Sequence, residues 1–191
     1  MTDSLRRRLL VATFIVATLS ACTSAPTRAP DEASALPDAK FDIAGRLSAR
    51  QGTEGAAASF RWSHRPERDS LTFASPLGST LAQLEGSADG VQLTTPEGRV
   101  IEAADWEALT VRTLGAPVPV RGLASWVRGA AHPGSPHTVE RDALGRPSVL
   151  RQDGWEIVYA YADDSSRPFR LQLAYVDTEL RLVIDRWDDV R

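Results

Sequence analysis

The sequence predicts a mainly β domain: an antiparallel meander of about ten to eleven strands with two or three short helices. A sheet of that size curls into a barrel or a strongly curved half-barrel with the helices over its mouth. Three observations carry this. From Lys40 onward, apolar and polar side chains alternate with period two along most of the chain. Turn signals such as Asp89-Gly90 and Glu97-Gly98 separate the alternating runs. Only residues 105–114 and 120–128 place apolar side chains at helical spacing.

The strands follow in order. Phe41, Ile43 and Leu47 share one face, with Arg46 and Ser48 on the other. Ala58, Phe60 and Trp62 alternate with Ser59, Arg61 and Ser63, although the small Gly55–Ala58 stretch leaves the start of that strand undefined. Leu71 and Phe73 alternate with Ser70 and Thr72, and 81–85 continue the pattern weakly. Val91 with Leu93, and Val100 with Ile101, follow the two glycine turns. Beyond the helical region come 138–141, 148–152 and 155–161. Phe169, Leu171 and Leu173 then alternate with Arg170 and Gln172, and Leu180, Leu182 and Ile184 with Arg181, Val183 and Asp185.

In the first helical segment Trp106, Leu109 and Thr113 are spaced for one face, Asp105 is placed to cap it and Gly115 to end it. Ala116-Pro117-Val118-Pro119 makes a stiff elbow. Val120–Arg128 forms the second helix, with Leu123, Trp126 and Val127 on one face and Gly129 at its end. Trp62, Phe73, Trp126, Trp155 and Trp187 are very large side chains on inward faces. Singly they read as core; as a set on a curved sheet they also suit the wall of a cavity.

The amino end determines the compartment. Arg6, Arg7 and Arg8 make a positive start, and Leu9 to Leu19 follows without a charge. That run suits a signal peptide and is short for a membrane span. Leu19-Ser20-Ala21-Cys22 is a lipobox, an apolar residue and two small ones before a cysteine whose sulfur takes a diacylglyceryl group. Cys22 is the only cysteine, so acylation explains a thiol that no disulfide can use. Residues 1–21 are therefore expected to be removed, and Thr23, not an aspartate, favours the outer membrane over inner-membrane retention. Removal of that segment, with three arginines against Asp3, takes the formal net charge from -3 to -5. A mildly acidic chain argues against nucleic acid as a partner. Residues 22–39, rich in Pro, Ala and Ser without apolar period, read as a lipidated tether. The folded domain is expected over 40–191.

Catalytic patterns are not found. No G-x-S-x-G, P-loop or dinucleotide glycine pattern occurs, and His132 and His137 flank a Pro-Gly-Ser-Pro loop without further metal ligands nearby. Neither an enzyme nor a metal site is expected. One turn stands out. In Ser75-Pro76-Leu77-Gly78-Ser79, Pro76 and Gly78 suit the turn backbone, but a leucine takes the tip, where Asn, Asp or Gly is usual. Leu77 either folds back onto a helix or is held outward as a small wedge that touches lipid.

Ordered motifs run through the domain: Phe41-x-Ile43-x-Gly45-Arg46-Leu47, Ser59-Phe60-x-Trp62, Ser75-Pro76-Leu77-Gly78-Ser79, Leu114-Gly115-x-x-Val118-Pro119-Val120-x-x-Leu123-x-x-Trp126-Val127-x-Gly129, Gly154-Trp155-x-Ile157-x-Tyr159 and Leu182-x-Ile184-x-x-Trp187. With the lipobox, their order resembles the LolB family of outer-membrane lipoproteins. The resemblance implies an unclosed half-barrel with helices covering an apolar cavity. It implies a monomeric receptor, lipid-anchored through Cys22 at the periplasmic face of the outer membrane and without a separate cofactor. The receptor would accept acylated lipoproteins from the periplasmic carrier LolA and insert them into the inner leaflet of that membrane. On this reading the acyl cavity is lined by Phe60, Trp62, Leu71, Phe73, Leu93, Leu123, Trp126, Trp155, Leu171, Leu173, Leu182, Ile184 and Trp187, and Pro76, Leu77 and Gly78 touch outer-membrane phospholipid. The competing expectation is a structural scaffold lipoprotein of the envelope, which needs no cavity.

Overall fold

The computed structural model describes residues 40–114 and 117–188. The signal peptide, Cys22 and the tether expected over 1–39, and the helix stop expected at Gly115, lie outside the described residues. Six strands come first: β1 (Phe41–Gln51), β2 (Glu54–Arg65), β3 (Arg68–Ala74), β4 (Thr80–Ser87), β5 (Gly90–Thr94) and β6 (Val100–Ala103). The helices α1 (Trp106–Leu114) and α2 (Val120–Trp126) follow. Then come β7 (His137–Arg141), β8 (Pro147–Gln152), β9 (Trp155–Tyr161), β10 (Pro168–Tyr175) and β11 (Thr178–Asp188).

All eleven strands form one sheet in the order β6-β5-β4-β3-β2-β1-β11-β10-β9-β8-β7. Every pairing is antiparallel. Two meanders meet where β1 pairs with β11, from Asp42↔Asp188 to Gln51↔Thr178. β6 and β7 each have a single neighbour, so the sheet is an unclosed half-barrel and not a closed barrel. The chain passes from one edge to the other through the two helices.

Period two does the sorting. Ile43, Phe60, Trp62, Leu71, Leu84, Leu150, Ile157, Leu171, Leu173, Leu182 and Ile184 are buried on the inner face, in one cluster with Trp106, Leu109, Leu123 and Trp126 of the helices. Each such burial contributes about 1.5–3 kcal/mol. Asp105 caps α1 as its sequence suggests, its Oδ1 accepting the Ala108 N–H at 2.7 Å. The Trp106 indole packs against β4 at Gly86, where a methyl group would overlap it.

Four expectations are corrected. α2 ends at Trp126, because the N–H groups of Arg128 and Gly129 turn to Ser125 and Trp126, three residues back. Nor does it bury a single face: Val120, Gly122, Leu123, Ala124, Ser125 and Trp126 are all buried. A short helix with small residues on its second face can sink into the bowl of the sheet. Phe169 is not on the inner face, because the register of β10 against β9 shifts between Pro168 and Arg170 and leaves Phe169 exposed. Thr113 is exposed at the end of α1, where helical spacing placed it with the buried face.

Candidate functional site: an apolar cavity beside an exposed leucine

A cavity of about 260 Å³ lies between the inner face of the β1–β5 and β11 side of the sheet and the helices. The volume is just below the roughly 300–1,000 Å³ typical of small-ligand pockets. Its walls are hydrocarbon because the few polar atoms among its lining residues are already bonded. Trp62 Nε1 donates to Asp69 Oδ1 at 2.7 Å. Thr110 Oγ1 accepts the Val118 N–H at 2.8 Å, and Thr113 Oγ1 donates to the Leu109 carbonyl at 2.9 Å. Small side chains make the space: Ala49, Ala56, Ala57, Ala58 and Ala82 all line it. Ala56, Ala57 and Thr113 are exposed and mark its mouth. The stretch at 55–58 whose pairing was undefined in the sequence is thus a regular part of β2, paired out to Gln51↔Glu54.

Of the side chains expected to form the cavity, Phe60, Trp62, Leu71, Phe73, Leu93, Leu123 and Leu182 line it. Trp126, Trp155, Leu171, Leu173, Ile184 and Trp187 do not. Trp126 donates its indole N–H to Gln152 Oε1 at 2.8 Å, and Gln152 is itself fixed by the His132 backbone. Trp155 stacks on Tyr175 with centroids 5.2 Å apart. Leu171, Leu173 and Ile184 are buried core residues, and Trp187 is half-buried with the Arg167 guanidinium 5.2 Å from its ring. Alternation identified the inner face but not which half of it keeps the cavity. Sequence reasoning missed Leu47, Leu84, Trp106, Val118, Val120 and Leu180. The alanine-rich inward positions were the available signal for empty space.

The turn at 75–79 is tightly built. Gly78 N–H donates to the Ser75 carbonyl at 2.9 Å, and Ser75 N–H to the Ser79 carbonyl at 2.8 Å. Gly78 has φ +89°, the left-handed residue that follows a tight turn in a three-residue hairpin loop. Leu77 is 96% exposed, so it does not fold back onto a helix. Pairing of Ala74 with Ser59 and Thr80 places this turn at the same end of the sheet as Ala56 and Ala57. The cavity mouth and the exposed leucine are therefore neighbours.

Ionisable groups lie elsewhere. His64 Nδ1 and Trp62 Nε1 both meet Asp69 Oδ1 at 2.7 Å in the core. Burial raises the Asp153 carboxyl, but hydrogen bonds from His132 and Ser135 outweigh it and hold the group below its ordinary value. Burial pushes Tyr161 up to about 12. Among the described residues no group of three or more His, Cys, Asp or Glu is placed to hold a metal ion.

Fold and site define a class: open antiparallel half-barrels with an internal apolar cavity. A LolA superfamily protein from Nitrosomonas europaea has this fold, with a TM-score of 0.52 at 10% identity over 84% of this chain and 91% of that one. The sequence is more specific. The family model for outer membrane lipoprotein LolB matches residues 39–187. The Azoarcus sp. protein named outer-membrane lipoprotein LolB is 38% identical over 95% of this chain and 96% of its own. The Alkalilimnicola ehrlichii protein of the same name is 35% identical over 95% and 97%. The chain belongs to the LolB family of outer membrane lipoproteins.

Proposed function

We propose that this protein is a lipid-anchored receptor that localises other lipoproteins to the outer membrane. It takes acylated lipoproteins from a LolA-type carrier and passes them into the inner leaflet of that membrane. In this reading residues 1–21 are a signal peptide, Cys22 carries the lipid, 22–39 are the tether, and 40–191 act as a monomeric binding domain at the periplasmic face. The observation that carries it is the apolar cavity opening beside the exposed Leu77. One sixteen-carbon chain hides about 12 kcal/mol of hydrophobic free energy at about 0.8 kcal/mol per methylene. Cargo therefore needs a continuous apolar path from carrier to cavity to bilayer. With no nucleotide-binding pattern in the chain, each step runs down an affinity gradient, and every tenfold difference needs only about 1.4 kcal/mol.

A fluorescent fatty acid titrated into the purified protein tests the cavity. Binding is expected to saturate at one site. Ala58→Trp, which puts an indole where a half-buried methyl lines the cavity, is expected to lower affinity at least about tenfold while circular dichroism stays unchanged. No saturable binding by the wild type would leave the family fold as a scaffold without cargo.

A further inference from the structure

Leu77 does not stand alone. The same hairpin carries Leu81, 46% exposed, and the neighbouring hairpin carries Val100, 50% exposed. Leu81 has no cross-strand partner: the register of β3 against β4 jumps between Phe73↔Ala82 and Ala74↔Thr80. Such a bulge turns its extra side chain away from the sheet's regular faces. Val100 is joined to this hairpin in one cross-strand row, Gln83↔Thr94 and Thr94↔Val100.

The β5–β6 turn repeats the build of the β3–β4 turn. Gly98 N–H donates to the Thr95 carbonyl and Thr95 N–H to the Arg99 carbonyl, both at 2.9 Å, and Gly98 has φ +79°. Both turns lie at the same end of adjacent hairpins, about two strand spacings of 4.8 Å apart. At the tip position that Leu77 takes in the first turn, the second carries Glu97. A carboxylate resists leaving water, so this tip stays at the polar surface. Arg99 follows beside Val100 and is exposed.

We propose that these two hairpin ends form one bilayer-contact face, with Leu77 entering deepest, Leu81 and Val100 resting at the acyl boundary, and Arg99 meeting phospholipid phosphate. The inference rests on the membrane-contact reading of Leu77 and extends it from a point to a face. The occupant is a phospholipid surface because the apolar side chains continue the Leu77 hairpin and end at a charged turn, where Arg99 lies within electrostatic reach of Glu97. That order, apolar then charged, is the order of an interface. Two hairpins also fix an angle: a single leucine lets the sheet pivot, whereas a face holds the cavity mouth toward the leaflet.

The acylated full-length protein in phospholipid vesicles tests this. Cys22 is the only native cysteine and is consumed by its lipid on the reading above, so a single new thiol can be labelled selectively. An environment-sensitive dye is attached in Leu77→Cys, Leu81→Cys, Val100→Cys and Val158→Cys, the last an exposed control on β9. Nitroxide-bearing phospholipid is expected to quench the first three and spare the fourth. Leu81→Glu with Val100→Glu is expected to slow cargo delivery to vesicles about tenfold and to leave cargo uptake from the carrier unchanged. Arg99→Glu is expected to weaken quenching at position 100, more so in anionic vesicles. Quenching at 77 alone overturns the face and leaves the leucine wedge standing. Quenching at none of the three overturns both. Dye shifts that persist without vesicles would assign the patch to a second copy of the chain and overturn the lipid assignment.

Discussion

Val176 is the residue most at odds with its backbone. It sits in the two-residue turn between Tyr175 and Thr178, has φ +50° and is 86% exposed. A β-branched side chain at positive φ clashes with its own backbone, a strain of about 1–3 kcal/mol, and Asn tolerates that region far better. Val176→Asn is expected to raise the melting temperature by roughly 2–4 °C, for about 1 kcal/mol recovered in a domain of this size. A thermal scan by circular dichroism checks it; an unchanged or lower midpoint would show that the valine's exposed methyls have a contact worth the strain. The sequence hid this, because Tyr175-Val176-Asp177-Thr178 contains neither Gly nor Asn to mark a turn. Leu77 was legible for the opposite reason. Pro76 and Gly78 define the turn backbone, which left the leucine between them two courses, back onto a helix or outward, and its 96% exposure decides for the second. Trp126 was legible only as buried; that its indole is committed to Gln152, distant in sequence, no local pattern could say.

Elements were legible wherever one periodicity ruled. The eleven strands follow period two because each has one face on the core and one in water. Pattern failed where a second constraint intervened: the bulge that exposes Phe169, and α2, whose small residues let it bury every residue but Arg121. Gly86 shows how elements meet. The alternating pattern makes it an inward position of β4, but its meaning comes from Trp106 on another element, whose ring occupies the place of a side chain. Gly86→Ala is expected to push that ring off β4 and cost about 1–3 kcal/mol, the range for overpacking a core. Chemical denaturation measures the loss. Because Trp106 also lines the cavity, fatty-acid affinity should fall in the same variant even when compared at equal folded fraction. Stability lost without any change in affinity would mean that Trp106 holds the helix in place and contributes nothing to binding.

At the scale of the whole molecule, the open sheet has a divided interior. One half holds Trp126 and Trp155 around Gln152; the other keeps a cavity, bordered by α2 through Val120 and Leu123, to which alanines give room, and which opens beside the 75–79 turn. The inner face could be read from the sequence, but not this division, which depends on where α2 lies in three dimensions. In the function proposed above, this arrangement separates taking cargo from releasing it, and Leu77→Glu should split those two steps. The side chain is 96% exposed, so a carboxylate there is not buried in the free protein, and Ser75, Gly78 and Ser79 hold the turn through backbone bonds that do not involve the Leu77 side chain. Folding and acyl-chain binding should therefore be nearly unchanged. What changes is contact with hydrocarbon, where an unpaired carboxylate is strongly disfavoured. A two-stage assay follows labelled cargo from carrier to receptor and then from receptor to liposomes. The first stage should run normally and the second should stall, with cargo accumulating on the receptor. Normal delivery to liposomes by a folded Leu77→Glu protein would remove the wedge from the mechanism, and a failed first stage would place Leu77 at the carrier contact instead.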